Sequence, residues 1–196
     1  MSELAWRASV HGTRFRHGAA WYVTCPAQDA VAESQRGVPE RGASPAPHRV
    51  WRSIVGAPAE QVMDLVYHLL SFLDPAVDMM LRDLRSGRTW QGALLPLPEV
   101  REAVGRLRQT FVAFGAVECT VYTDQDQFTI TRDRLLIIDS RTDRWTYRLD
   151  AAGFEPRAQL PSPTWNPERA VRRRDAALEE TLWVAAERLG LEERRT

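Results

Sequence analysis

The chain contains no lysine. All 26 basic residues among its 196 are arginine. An arginine cannot give up its proton at ordinary pH, so it does not replace a lysine that must do so. Schiff-base catalysis is therefore excluded. So are the phosphate-loop lysine, the kinase strand lysine and the Ser-x-x-Lys acyl-transfer pair. Nucleases that need a lysine beside paired carboxylates are excluded in their usual form.

Cysteine is nearly as scarce. Cys25 and Cys119 stand far apart and neither belongs to a C-x-x-C pair. They read as two separate buried or half-buried thiols in a reducing compartment. No stretch approaches the ~18 apolar residues of a membrane span. The opening MSELAWRASVHG has no basic segment leading into an apolar one, so a secretory signal is not expected. Location is expected to be cytoplasmic, with no membrane partner. The 26 basic residues balance 26 acidic ones. No global field then draws the chain to nucleic acid or to an anionic membrane, and any such binding must come from a local patch.

What is present suffices for a core. Hydrophobic residues make up 44% and charged residues 27%, ordinary for a globular protein. A chain of this length buries roughly 70% of the surface its unfolded form exposes. The expected organisation is a single α+β domain over 1–196, with an exposed loop at about 36–48 and a Pro-rich connector at about 156–167.

Aromatic and β-branched residues at Leu4–Val10 and Phe15–Thr24, split by His11-Gly12-Thr13, predict an N-terminal strand pair. A short helix is expected within Ala27–Gln35 and a strand over Val50–Val55. From Pro58, the residues Val62, Leu65, Val66, Leu69, Leu70 and Leu73 recur at helical spacing. Val77, Met80, Leu81 and Leu84 predict a second helix, capped by Asp74, started by Pro75 and stopped near Gly87. Trp90–Leu97 reads as a turn-rich connector. Val100, Val104, Leu107 and Phe111 predict a third helix over Pro98–Phe114, ended by Gly115.

The period then changes to two. Val117, Cys119 and Val121 alternate with polar residues. So do Phe128 and Ile130, and Trp145, Tyr147 and Leu149. Leu135–Ile138 are continuously apolar, as in a strand buried on both faces. The short turns between these runs predict a four-stranded antiparallel β-meander at about 116–150, packed with amphipathic helices. A last helix is expected over Pro167–Leu189, followed by a charged, frayed tail.

Five aspartates crowd the meander: Asp124, Asp126, Asp133, Asp139 and Asp143. All but Asp139 fall at predicted turns, where an aspartate bonds its own backbone, so turn-making is preferred over a metal site. His11, His17, His48 and His68 lack ligand-pair spacing, and His68 reads as a core or boundary histidine. No nucleophile elbow or Gly-rich phosphate cradle is present. No catalytic residue, metal or cofactor is assigned.

Arginines interleaved with aromatics are the strongest remaining signal. Arg7, Arg14, Arg16, Trp21, Arg49 and Arg52 form an expected nucleic-acid-binding set, because guanidiniums clamp phosphates and aromatics stack on bases. Trp90, Trp165, Arg173 and Trp183 are expected to bind a partner, since tryptophan and arginine are enriched at binding hot spots. The leading expectation is a non-catalytic accessory or adaptor protein that binds another protein or itself. A nucleic-acid-binding module is the second expectation, and a hydrolase or transferase with a site outside known motifs is the third.

Overall fold

The computed structural model describes residues 20–27, 50–160 and 176–194. Nine strands form one sheet: β1 (Trp21–Ala27), β2 (Val50–Gly56), β3 (Ala76–Asp83), β4 (Thr89–Pro96), β5 (Val117–Tyr122), β6 (Asp126–Ile130), β7 (Leu136–Ser140), β8 (Glu155–Pro156) and β9 (Glu192–Arg194). Their order is β8-β1-β2-β7-β6-β5-β3-β4-β9. Every pairing is antiparallel except β1 with β8. Four α-helices accompany them: α1 (Ala59–Leu70), α2 (Leu97–Arg106), α3 (Arg144–Ala151) and α4 (Ala176–Arg188). A π-helical turn spans Thr110–Phe114.

The expected four-stranded meander is therefore corrected to a nine-stranded mixed sheet. Two of its strands, β5 and β6, lie where the alternation puts them, and β7 lies where the apolar run Leu135–Ile138 does. The fourth does not exist: Trp145–Leu149 lies in α3. Trp145 and Leu149 are four residues apart, so both point inward from a helix, while Tyr147 between them is 67% exposed. A period of two over five residues cannot be told from one helical turn.

The opposite error occurs at Val77–Leu84. That segment is β3, not a second helix, and its burial alternates along Val77, Met79, Leu81 and Asp83. Met and Leu favour helix intrinsically, but the slot between β4 and β5 overrides that preference. The expected connector Trp90–Leu97 is mostly β4, and Gly87, with φ of +73°, lies in the β3–β4 turn rather than stopping a helix. A register shift between Val77 and Met79 marks a bulge in this pair.

The third helix reaches its expected end at Phe114 but is interrupted: α2 stops at Arg106, residues 108–109 are again helical, and the π-helical turn completes it. Gly115 closes that turn at φ of +60°, its N–H donating to the Thr110 carbonyl. Leu136 and Ile138 are buried, but Ile137 is only half-buried, so β7 alternates rather than being enclosed on both faces. The tail residues Glu192–Arg194 pair with Thr89–Gln91 as β9. The strand Leu4–Val10, residues 28–35 of the expected helix, the loop 36–48 and the first turns of the last helix lie outside the described residues, while Ala27 ends β1.

One face of the sheet carries the core. Tyr22, Val55, Leu136, Ile138, Phe128, Ile130, Cys119, Val121, Met79, Leu81 and Trp90 are buried there with α1 residues Val62, Leu65, Val66, Leu69 and Leu70. Trp145 of α3 meets Phe128 edge-on, ring centroids 4.8 Å apart. Leu191, just after α4, lies against Gly92 of β4. The helices thus form a layer in the order α4, α2, α1, α3 across this face.

Candidate partner-binding surface

The fold brings together an arginine–aromatic cluster that the sequence does not show as a group. The apolar stripe of α1 turns Val62, Val66 and Leu69 into the core, which leaves Tyr67, His68 and Phe72 at the outer side. Arg101 comes from α2, and Arg144, Tyr147 and Arg148 from α3. The Arg101 guanidinium carbon sits 4.5 Å from the centre of the Tyr67 ring. That of Arg148 sits 3.5 Å from the centre of Phe72, and that of Arg144 lies 4.7 Å from Trp145. Phe72 in turn meets the His68 ring at 5.0 Å, edge to face.

The charges in this cluster are uneven. Arg144 reaches the buried Asp126 carboxylate. Arg101 and Arg148 form no ion pair among the described residues. The Nε–H of Arg101 is buried with no acceptor. Burial first, and then Arg148 and Arg101, push the His68 pKa below its usual value. Burial and then Arg144 lower that of Arg148 as well. Tyr67, 42% exposed, and Tyr147 border the cluster.

The other polar clusters centre on carboxylates that already hold their donors. Asp126 is not a turn-maker. It is the first residue of β6, and its carboxylate is buried. Oδ1 accepts from Ser140 Oγ and Trp145 Nε1, each at 2.6 Å, and Oδ2 accepts from Arg144. Asp139 of β7 holds Arg52 by two hydrogen bonds, 2.7 and 3.1 Å. At the β3–β4 turn, Asp83 accepts from Ser86 Oγ, from the Arg85 N–H and from Arg85 Nε. The Arg85 side chain is 2% exposed, and its two terminal nitrogens find no acceptor. Asp143 precedes α3 without a side-chain cap. A small cavity at the start of α1, lined by Met63, Phe111, Gly115, Ile130 and Arg134, has one ionisable side chain in its wall. Among the described residues, no three His, Cys, Asp or Glu side chains gather as a metal site would require. No described helix is long and apolar enough to cross a membrane.

The expected site residues scatter. Arg7, Arg14, Arg16, Arg49, Trp165 and Arg173 lie outside the described residues. Trp21 is half-buried and covers Gly56 across the β1–β2 pair, where an added Cβ would come within 2.2 Å of its ring. Arg52 is engaged by Asp139. Trp90 is 4% exposed and belongs to the core, not to a connector. Trp183 is 48% exposed on α4. Cys119 is a free, buried thiol on β5.

Sequence reading missed Tyr67, Phe72, Arg101, Tyr147 and Arg148. The available signal was position: Tyr67 and His68 fall off the apolar stripe of α1. Arg144 and Arg148 are four residues apart, a spacing that matters only once the segment is known to be helical. No protein-family model, curated protein or solved structure matches the chain.

Proposed function

We propose that this protein is a non-catalytic accessory or adaptor protein that acts by binding a protein partner. One observation carries the reading: Arg101 and Arg148 stand over aromatic rings at the outer side of the helix layer, and neither forms an ion pair among the described residues. An arginine held over an aromatic ring is pre-organised, and its terminal N–H groups can receive a bidentate acceptor. Arginine and aromatic residues together are the usual anchors of binding hot spots.

The same arrangement speaks against base stacking at this patch. A nucleic-acid platform needs open ring faces, whereas guanidiniums occupy one face of both Tyr67 and Phe72. Two unpaired arginines also form a small phosphate footprint on a chain of zero net charge.

The test compares affinity capture on the wild-type chain with capture on Arg101→Ala/Arg148→Ala, read by quantitative mass spectrometry. A partner retained by the wild type and at least about tenfold depleted on the variant supports the reading. Equal recovery on both chains refutes it. Single-stranded DNA binding whose log affinity falls steeply with log salt, and which the same variant abolishes, would instead favour the nucleic-acid alternative.

A further inference from the structure

The outer face of α4 is the chemical complement of the arginine patch. Glu179, Trp183 and Glu187 are spaced four residues apart, and Glu180 lies three before Trp183, so all four share one helical face. All four are exposed. The opposite face, Leu178, Leu182, Ala185 and Ala186, is buried. None of the three glutamates forms an ion pair among the described residues. The surface is thus three unpaired carboxylates around one exposed indole. Across the same layer lie two unpaired guanidiniums with Tyr67, Phe72 and Tyr147.

We propose that the partner of the arginine patch is a second copy of this chain, docked through the Glu179–Glu187 face of its α4. This rests on the reading of the patch as a partner surface. Within one copy the two surfaces are kept apart, because α2 lies between α4 and α1. Both are on the solvent side of the helix layer. A two-fold axis in the plane between two facing layers sets α4 of each copy opposite α1 and α3 of the other. The contact is then made twice and the assembly closes. Each copy brings carboxylates to Arg101 and Arg148 and an indole to the edge of the aromatic cluster, an arrangement of opposite charges that also fixes the register.

The experiment is light scattering after size exclusion, with sedimentation equilibrium, on the full chain at ~0.05 M and ~1 M salt. Screening at the higher value shortens the Debye length to about 3 Å. The expected wild-type result is twice the chain mass at low salt, with a weaker dimer at high salt. Arg101→Glu/Arg148→Glu and Glu180→Arg/Glu187→Arg are each expected to raise the dimer dissociation constant at least about tenfold. Mixing the two variants is expected to restore a mixed dimer. Circular dichroism checks that each variant is folded, and Arg101→Gln/Arg148→Gln replaces a reversal that is not. A wild-type chain that is monomeric at its solubility limit overturns the proposal. So does a dimer that neither variant nor salt weakens. A monomeric chain that still loses a captured partner on Arg101→Ala/Arg148→Ala overturns self-docking alone. A monomer with equal capture on both chains ends the wider reading too.

Discussion

Asp126 offers the sharpest test of how the sheet and α3 are joined. Its side chain is 1% exposed and accepts from three groups. Replacing it with alanine leaves Trp145 Nε1–H without an acceptor inside a core where Trp145 is 1% exposed. An unsatisfied buried donor costs about 1–3 kcal/mol. Ser140 loses a charge-assisted bond but can turn toward Thr142 Oγ1, 3.4 Å away. That limits its share to about 1 kcal/mol. Arg144 is 46% exposed and is re-solvated by water, so it adds little. The expected destabilisation is about 2–4 kcal/mol, a large fraction of the roughly 5–15 kcal/mol that holds a domain together. Urea unfolding followed by far-UV circular dichroism measures it. Trp145→Phe removes the donor but leaves a void where the five-membered ring packed, so its own cost should be about 1–3 kcal/mol. Combined with Asp126→Ala, it should cost clearly less than the sum of the two single changes. A loss below about 1 kcal/mol for Asp126→Ala, or strict additivity, would refute the clamp.

Three further outcomes follow from particular residues. Leu94 is 81% exposed at φ of +54° on the bulged β4. Leu94→Gly should raise the urea midpoint by up to ~1 kcal/mol of stability, and Leu94→Val should lower it by a similar amount, because a branched Cβ fits positive φ worst. Burial pushes the Cys119 thiol up to about 12, and burial with the Asp150 hydrogen bond raises the Tyr22 hydroxyl. Both folded values exceed the unfolded ones, so this stability is intact at neutral pH and is lost as pH climbs above about 9. Alkaline unfolding should therefore shift upward in Tyr22→Phe, and Cys119 should resist thiol reagents until the chain unfolds. The His68 pKa is lowered in the fold, so the unfolded chain binds its proton first and stability falls as pH drops below about 6.5. His68→Gln should flatten that slope in melts between about pH 5 and pH 7.

The local sequence determined whatever one element's own spacing can specify. The six-residue stripe from Val62 to Leu73 is too long to be anything but a helix, and α1 is where it predicts. The alternations at Val117–Val121 and Phe128–Ile130, with short polar turns, fix β5 and β6 in the same way. The absence of lysine closes several mechanisms whatever the fold. Where an apolar pattern spans a single turn, the sequence has two solutions, and packing chooses. Trp145 and Leu149 became helical because Phe128 and the Asp126 carboxylate receive the indole from above the sheet. Val77–Leu81 became a strand because β4 and β5 hydrogen-bond to both its edges.

The candidate surface belongs to the tertiary structure almost entirely. Tyr67, Arg101 and Arg148 come from three helices, with more than thirty residues between each and the next in sequence. Their shared property, two guanidiniums over rings and neither in an ion pair among the described residues, is a relation among elements that no one-dimensional pattern carries. Trp183 could be named from sequence, but its place at the centre of an acidic face required knowing which side of α4 is buried. Burial is decided by what packs against an element, and the sequence of one element does not contain its neighbours.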